Sequence, residues 1–357
     1  MVDTVANADR ATVHYEVARV LTSGDALVPE LEAGGTPVHD LGGSGNLDLS
    51  WTRAFRRLLV AGSYDIVHFH LPYTAAFGRP VVATLPGDRR PLTVYTEHSM
   101  WNKVAVLVKL LNRASVHRDV ALIAVSQAAH DALPAALRPR ARVVVHGVDL
   151  AQSTAMVTRR PEVRATVREE LGLEDDELLA VTVANLRSEK GYDVLLDAAG
   201  RTAARGLPLR YAAAGSGAME EELKAQHRAL GLGDRFLFLG HRRDALALLT
   251  AADVVVLPSH QEGLPVVLME AFSLGATVVA TAVGGVPLVV DDGVNGLLVP
   301  AGRADLLAEA LARVASDPGL RARLGGQALA DSSRFDIRRA GAEVEGIYRS
   351  VLDAADR

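Results

Sequence analysis

Short apolar runs alternate with helix-length amphipathic segments along nearly the whole chain. The runs are YDIVHFH (64–70), PLTVYTEH (91–98), VALIAVS (120–126), ARVVVHG (141–147), LLAVTVAN (178–185), LRYAAAG (209–215), RFLFLG (235–240), DVVVLPS (253–259) and ATVVATA (276–282). Between several of them lie segments of helical period, such as EEELKAQHRAL (220–230) and RADLLAEALARVAS (303–316). Near-continuous apolar strands alternating with helices predict parallel sheets covered on both faces, an α/β class. The stretch from Asp149 to about Arg168 has no strand pattern and carries Arg159, Arg160 and Pro161, which makes it the expected domain boundary. The predicted division is 1–148, 149–333 and a last helix within 334–357 that packs back on the first domain.

At 357 residues the chain is too long for one ordinary core, and a 49% apolar fraction is ample for two. No stretch reaches the length of a membrane span, and no leader pattern opens the chain, so a cytoplasmic protein is expected. The absence of cysteine removes disulfides, thiolate metal sites and a thiol nucleophile. A net charge of −5 argues against a nucleic-acid partner.

The stretch EGLPVVLME places Glu262 and Glu270 at the two ends of an apolar run. Eight residues along a helix amount to about 800°, which would return both acids to one face. Pro265 belongs in the first turn of a helix, so Glu262 falls in the preceding loop and Glu270 in the second turn, with Gly275 as a stop. Ligands of open α/β sheets bind at the carboxyl ends of strands, where both acids would lie. One loop acid and one helix acid without any ligand is the plainer reading of the pair alone.

ANLRSEKGYDVLLDA (184–198) leaves a strand and enters a helix with Arg187 and Lys190 in the turn, two cations able to clamp a diphosphate or simply to be solvated. AAAGSGAMEEEL (212–223) sets Gly215 and Gly217 at another strand-to-helix turn, a weak phosphate signal that lacks the third glycine of a dinucleotide fingerprint. AVGGVPLVVDDGVNGLLVP (282–300) reads as a glycine-rich loop, a short helix and a hairpin turn at Asn295 and Gly296.

Taken in order, R-S-E-K-G, G-S-G, P-S-H-Q-E-G-L-P with a second glutamate eight residues on, G-G-V-P and D-G-V-N-G-L-L-V resemble the C-terminal half of glycosyltransferase family 4, strongly over 178–300 and plausibly from 64 onward. The resemblance implies the GT-B fold, two Rossmann-like domains facing a cleft, and a retaining hexosyltransferase using a nucleoside-diphosphate sugar (UDP or GDP) as substrate, without cofactor or metal. It places Glu262 on the transferred sugar, Glu270 on the ribose, Arg187 and Lys190 on the diphosphate, and the base against Leu239–Arg242, including His241. Backbone around Gly263, Leu264, Pro265 and Val266 would meet sugar and phosphate oxygens. It implies front-face attack, the leaving phosphate helping to deprotonate the acceptor, so neither glutamate is assigned as nucleophile.

In the first half, His68 and His70 end one strand and Glu97 and His98 the next; packed histidines are the default and a metal set lacks a third ligand. The resemblance selects His98 as a polar contact to the sugar and puts His70 and Ser126 on the acceptor side, Ser126 being equally a helix cap. VVHGVDL (144–150) carries His146 where the family has asparagine. The family's first strand and glycine loop have no counterpart before VHYEVARVL (13–21), so a chain with a shortened start is expected. WTRAFRRLLV (51–60) and WNKVAVLVKLLNR (101–113) read either as core helices or as interfacial ones touching a membrane, where a glycan or lipid-linked acceptor would reside. The alternatives are a nucleotide-sugar-binding protein with little turnover and a sugar-nucleotide 2-epimerase.

Overall fold

A computed structural model describes residues 5, 10–21, 28–45, 48–98 and 105–355. The chain divides into two compact units, one of residues up to His146 together with Ile337–Arg357, the other Gly147–Asp336.

The first unit contains β1 (Val17–Leu21), α1 (Val28–Ala33), β2 (Val38–Gly43), α2 (Trp51–Ala61), β3 (Ile66–His70), α3 (Pro72–Ala83), β4 (Leu92–Glu97), α4 (Val106–Ser115), β5 (Ala121–Ala124), α5 (Gln127–Ala132) and β6 (Ala141–Val143). Strands β3-β4-β5-β6 form one parallel sheet, while β1 and β2 pair in parallel as a separate two-stranded sheet. The opening residues in which no first strand was expected are described only at Val5 and from Arg10 onward. Successive side chains alternate across a sheet. Tyr95 and Leu122 thus pack with Trp51, Phe55, Leu59 and Phe69, and Val94 and Ile123 pack on the other face. Helix α2 turns Trp51, Phe55 and Leu59 inward and leaves Arg53, Arg56 and Arg57 exposed. It is a core helix, which removes the interfacial reading of 51–60; of the second segment, 101–104 lie outside the described residues. Beneath α4 an ion pair is fully enclosed, with Arg79 Nε donating to Asp119 Oδ1 at 2.9 Å and its guanidinium 4.8 Å over the Tyr95 ring.

The second unit contains α6 (Leu150–Thr158), α7 (Arg160–Glu170), β7 (Leu178–Val183), α8 (Tyr192–Ala204), β8 (Leu209–Ala214), α9 (Glu220–Ala229), β9 (Phe236–Gly240), α10 (Ala245–Ala251), β10 (Val254–Leu257), α11 (Val266–Ser273), β11 (Thr277–Thr281), β12 (Leu297–Val299), α12 (Ala304–Ser316) and α13 (Pro318–Asp331). A final helix, α14 (Ile337–Ala355), belongs to the first unit, where Ile337, Ala340, Ile347 and Tyr348 cover Val94, Ile123 and Val144. The six strands of the second unit run parallel in the order β12-β11-β10-β7-β8-β9. Val255 and Leu257 face one buried cluster and Val254 and Val256 the other, which is why these runs lack polar alternation. From β7 the chain builds outward through β8 and β9, then returns to build the other way from β10. The strand order reverses between β7 and β10, which opens a crevice at their carboxyl ends.

The stretch after Asp149, expected as the domain boundary, is helical: the Asp149 carboxylate caps α6, accepting from Ala151 N at 2.8 Å and Gln152 N at 3.1 Å, and Val163 and Val167 of α7 join the core. Two details differ from the sequence reading. Pro265 stands at the N-cap of α11 rather than inside its first turn. Asn295 does not turn an antiparallel hairpin, because the bridge Asp292 to Gly296 and the β11–β12 pair are both parallel; its amide instead holds Asp291 N at 2.7 Å and Asp331 Oδ2 at 2.7 Å.

Candidate functional site

The crevice of the second unit holds a cavity of about 420 Å³. Its lining comes from the end of β7 (Val183, Ala184, Asn185), the end of β8 (Ala214, Gly215), the segment after β9 (His241, Arg242), and the loop and first turn of α11 (Leu264, Pro265, Val266, Val267), with Lys190 and Glu262. Gly215 is required by backbone proximity: at φ +154° a Cβ would stand 1.9 Å from Ala184 O, so β8 turns flush against the end of β7. Leu268 N bonds back to Pro265 O at 3.0 Å, while the N–H groups of Val266 and Val267 precede any intrahelical acceptor and give that rim a positive potential. A second cavity of about 500 Å³, in the first unit, lies at the amino ends of β4 and β5 against α14, away from the strand ends that carry the histidines.

Glu262 is nearly enclosed, 8% exposed, and its charge is met from two sides. Lys190 Nζ lies 2.8 Å from Oε1, and Ser259 Oγ donates to the same oxygen at 2.6 Å. Ser259 is fixed in turn by Thr281, whose hydroxyl donates to its carbonyl at 2.5 Å. The carboxylate therefore has one oxygen fully engaged and the other left to accept further hydroxyls. An ammonium has three N–H donors, so Lys190 can hold Glu262 and still meet a phosphate. Arg187 stands apart, its side chain 64% exposed beside Glu189. Arg242 is occupied: its guanidinium donates to the carboxylates of Glu170 and Asp244, which fix it and raise its already high proton affinity.

Residues 163–330 match the family model of glycosyl transferases group 1, and residues 3–152 match that of glycosyltransferase family 4. A D-inositol 3-phosphate glycosyltransferase of Xylanimonas cellulosilytica is 34% identical over 312 residues, which is 80% of this chain and 72% of that protein. The chain belongs to glycosyltransferase family 4. Another protein of that name, from Saccharomonospora viridis, is 37% identical over 237 residues, 63% of this chain and 52% of the relative. The match spans about half the length of this and other curated relatives. Anabaena HepE, crystallised in complex with UDP, is 22% identical with a TM-score of 0.80 over 98% of this chain and 96% of that one, which establishes the shared GT-B fold.

For this family 4 chain the structure gathers Lys190, Gly215, His241, Glu262, Leu264, Pro265 and Val266 around one cavity. Arg187, Gly217, Gly263 and Glu270 lie outside its lining; Glu270 sits half-buried in the second turn of α11. Gly217 is a packing glycine, where a Cβ would fall 2.3 Å from Leu186 O. Ser126 caps α5, its Oγ accepting from Ala129 N at 3.1 Å while 1% exposed. Asn185 and Ser259 were not singled out from the sequence. Asn185 could have been found as the last residue of the β7 run; Ser259 needed the loop's folded path.

In the first unit of this family 4 chain the strand ends bring four histidines together. His70 Nδ1 lies 2.9 Å from His98 Nε2, and His98 Nδ1 lies 3.3 Å from His146 Nε2, with the His98 and His146 rings stacked. His68 lies beside His70, with ring centroids 4.2 Å apart and planes tilted by 30°, and is 2.5 Å from Tyr348 Oη. His98 meets its neighbours through opposite ring nitrogens, so the three imidazoles share no point at which one cation could be held. Burial, with His146 close by, pushes His98 down to about 4, and burial does the same to His146. Folding thus favours the neutral rings. The unfolded chain takes up protons as pH falls below about 6.5, while the folded one does so only near 4. Stability is full above that window and is expected to fall across it, by at most about 1.4 kcal/mol per pH unit for each histidine. Thermal midpoints at pH 7 and 5 check this, with His146→Asn expected to flatten the dependence. A midpoint unchanged between the two pH values contradicts it.

Proposed function

We propose that the chain transfers a hexose, with retention, from a UDP-sugar to an acceptor hydroxyl on a glycan, lipid-linked or small-molecule acceptor. The observation that carries this is the pairing of Lys190 and Ser259 on one oxygen of Glu262 at the wall of the crevice cavity. Such a carboxylate presents its second oxygen to sugar hydroxyls. The diphosphate would be met by Lys190, by Arg187 swinging in from solvent, and by the first turn of α11, which together stabilise the charge that develops on the leaving oxygen. Glu270 would take the ribose and the segment after β9 the base. His98 is kept in this reading as a polar ligand of sugar hydroxyls. No metal is needed for the step so described. UDP is preferred to GDP because HepE, of the same fold, was crystallised with UDP, and because Arg242 is already held by two carboxylates and is not free to read a purine edge.

Calorimetric titration with UDP and with GDP, in the presence of EDTA, tests the donor assignment. UDP is expected to bind and GDP to bind more weakly. Arg187→Ala is expected to weaken UDP by about tenfold or more, the loss of a charge-assisted contact. Unchanged affinity in that variant removes Arg187 from the diphosphate. Loss of binding in EDTA removes the metal-free reading, and binding of neither nucleotide removes the donor site. Turnover of a UDP-sugar then separates a transferase from a protein that only binds.

A further inference from the structure

One face of the β3–β6 sheet is covered by α14, and alternation along the strands fixes which residues that helix meets. Val94 pairs with Ala121 and Ile123 pairs with Arg142, so Val94, Ala121, Ile123, Arg142 and Val144 share this face. All but Arg142 are apolar. Toward the middle of α14, Ile347 and Tyr348 fill the space above the sheet. Toward its carboxyl end the helix offers Ser350, Ala354 and Ala355, and the sheet offers Ala121, side chains too short to meet across the layer. The space they leave is the cavity of about 500 Å³, lined also by Leu92, Val120 and Val351.

Arg142 stands in a row of otherwise apolar positions, yet its guanidinium makes no hydrogen bond or ion pair with any described residue. Arg140 reaches the same cavity and uses Nη2 alone, donating to Asp119 O at 2.7 Å. The Asp119 carboxylate is already taken by Arg79, and no aspartate or glutamate is among the described residues that line the cavity. Two guanidinium groups beside an apolar hollow match a ligand that has an apolar body and a planar anion, since the fork of an arginine meets a carboxylate with two parallel hydrogen bonds. The apolar surroundings favour one charge over two. We propose that this cavity binds a small aliphatic monocarboxylate, with its carboxylate on Arg142 and Arg140 and its chain against Leu92, Ala121 and Val351. The site lies at the amino ends of the strands, away from the histidines, and does not rest on the transferase reading of the second unit. Because α14 completes the core of the first unit, a ligand joining its last turns to the sheet stabilises that unit by mass action.

Calorimetric titration of the full chain with octanoate, with acetate and with octylammonium tests it. Octanoate is expected to bind and to raise the thermal midpoint. The other two are expected to bind at least about tenfold more weakly, since acetate lacks the apolar body and octylammonium the anion. Arg142→Glu, at an exposed position on the edge strand β6, is expected to abolish octanoate binding. Arg142→Gln is expected to weaken it about tenfold and serves if the glutamate variant melts early by circular dichroism. Ala354→Trp, at an exposed position near the end of α14, is expected to fill the hollow and exclude octanoate while the free chain melts no earlier than the native one. No octanoate binding by the native chain overturns the proposal, as does binding that Arg142→Gln and Ala354→Trp both retain. Acetate binding as tightly as octanoate removes the apolar half of the site, and octylammonium doing so removes the arginines; either result overturns the assignment.

Discussion

Glu262→Gln is expected to lower kcat/KM for sugar transfer by about 10²–10³-fold while leaving UDP affinity nearly unchanged. The amide keeps the shape of the carboxylate and can still accept from Ser259, so the loop is not expected to collapse. What it loses is charge. Lys190 then has no counter-ion at 2.8 Å, and the second oxygen is a weaker acceptor for the hydroxyls of a sugar developing positive charge. The freed ammonium can turn fully to a diphosphate, so nucleotide binding has no reason to fall. Calorimetry with UDP beside initial rates with a UDP-sugar separates the two effects. Equal loss of binding and rate would place Glu262 on the nucleotide, and an unaltered rate would remove it from the reaction.

Gly284→Ala is expected to cost about 3–5 kcal/mol, a lowering of the thermal midpoint by roughly 10 °C for a unit of this size. The backbone at Gly284 has φ +53°, which L side chains adopt only with strain, and a Cβ there would stand 1.9 Å from Glu262 O. The next residue confirms how close the two loops lie, because Gly285 N donates to Gly263 O at 2.8 Å. The G-G-V-P segment is therefore a buttress for the loop that carries Glu262, and a methyl group inserted between them pushes that loop outward. UDP affinity is expected to drop along with the midpoint, since Leu264 and Pro265 line the cavity. A variant that melts like the native chain would refute the packing account.

The parallel sheets were legible because their strands are buried on both faces and therefore read as unbroken apolar runs, as in Val254–Leu257. The paired helices after Asp149 were not, because their outer faces are so polar that Val163 and Val167 alone cannot announce a period against Arg159, Arg160 and Glu162. The spacing of Glu262 and Glu270 around Pro265 revealed a helix start, since proline and glycine report on local backbone. The hold of Ser259 on Glu262 was invisible, because it depends on how a loop curls between strand and helix. The histidines could be seen at strand ends, but their linkage requires knowing that β3 and β4 are neighbours. Val106 to Arg113 read equally as a core helix or an interfacial one; only the position of Arg79 beneath Asn112 decides which side faces out.

The first unit is begun at one end of the chain and finished at the other. Val94, Ile123 and Val144 are covered by Ile337, Ala340, Ile347 and Tyr348, whereas the intervening unit holds its own cores within 147–336. A ribosome thus delivers the second unit whole before it delivers the residues that complete the first. At roughly 5–20 residues per second, that interval is on the order of ten to forty seconds. During it the nascent chain carries an open apolar sheet face, and the length of the second unit sets how long chaperones have access to it.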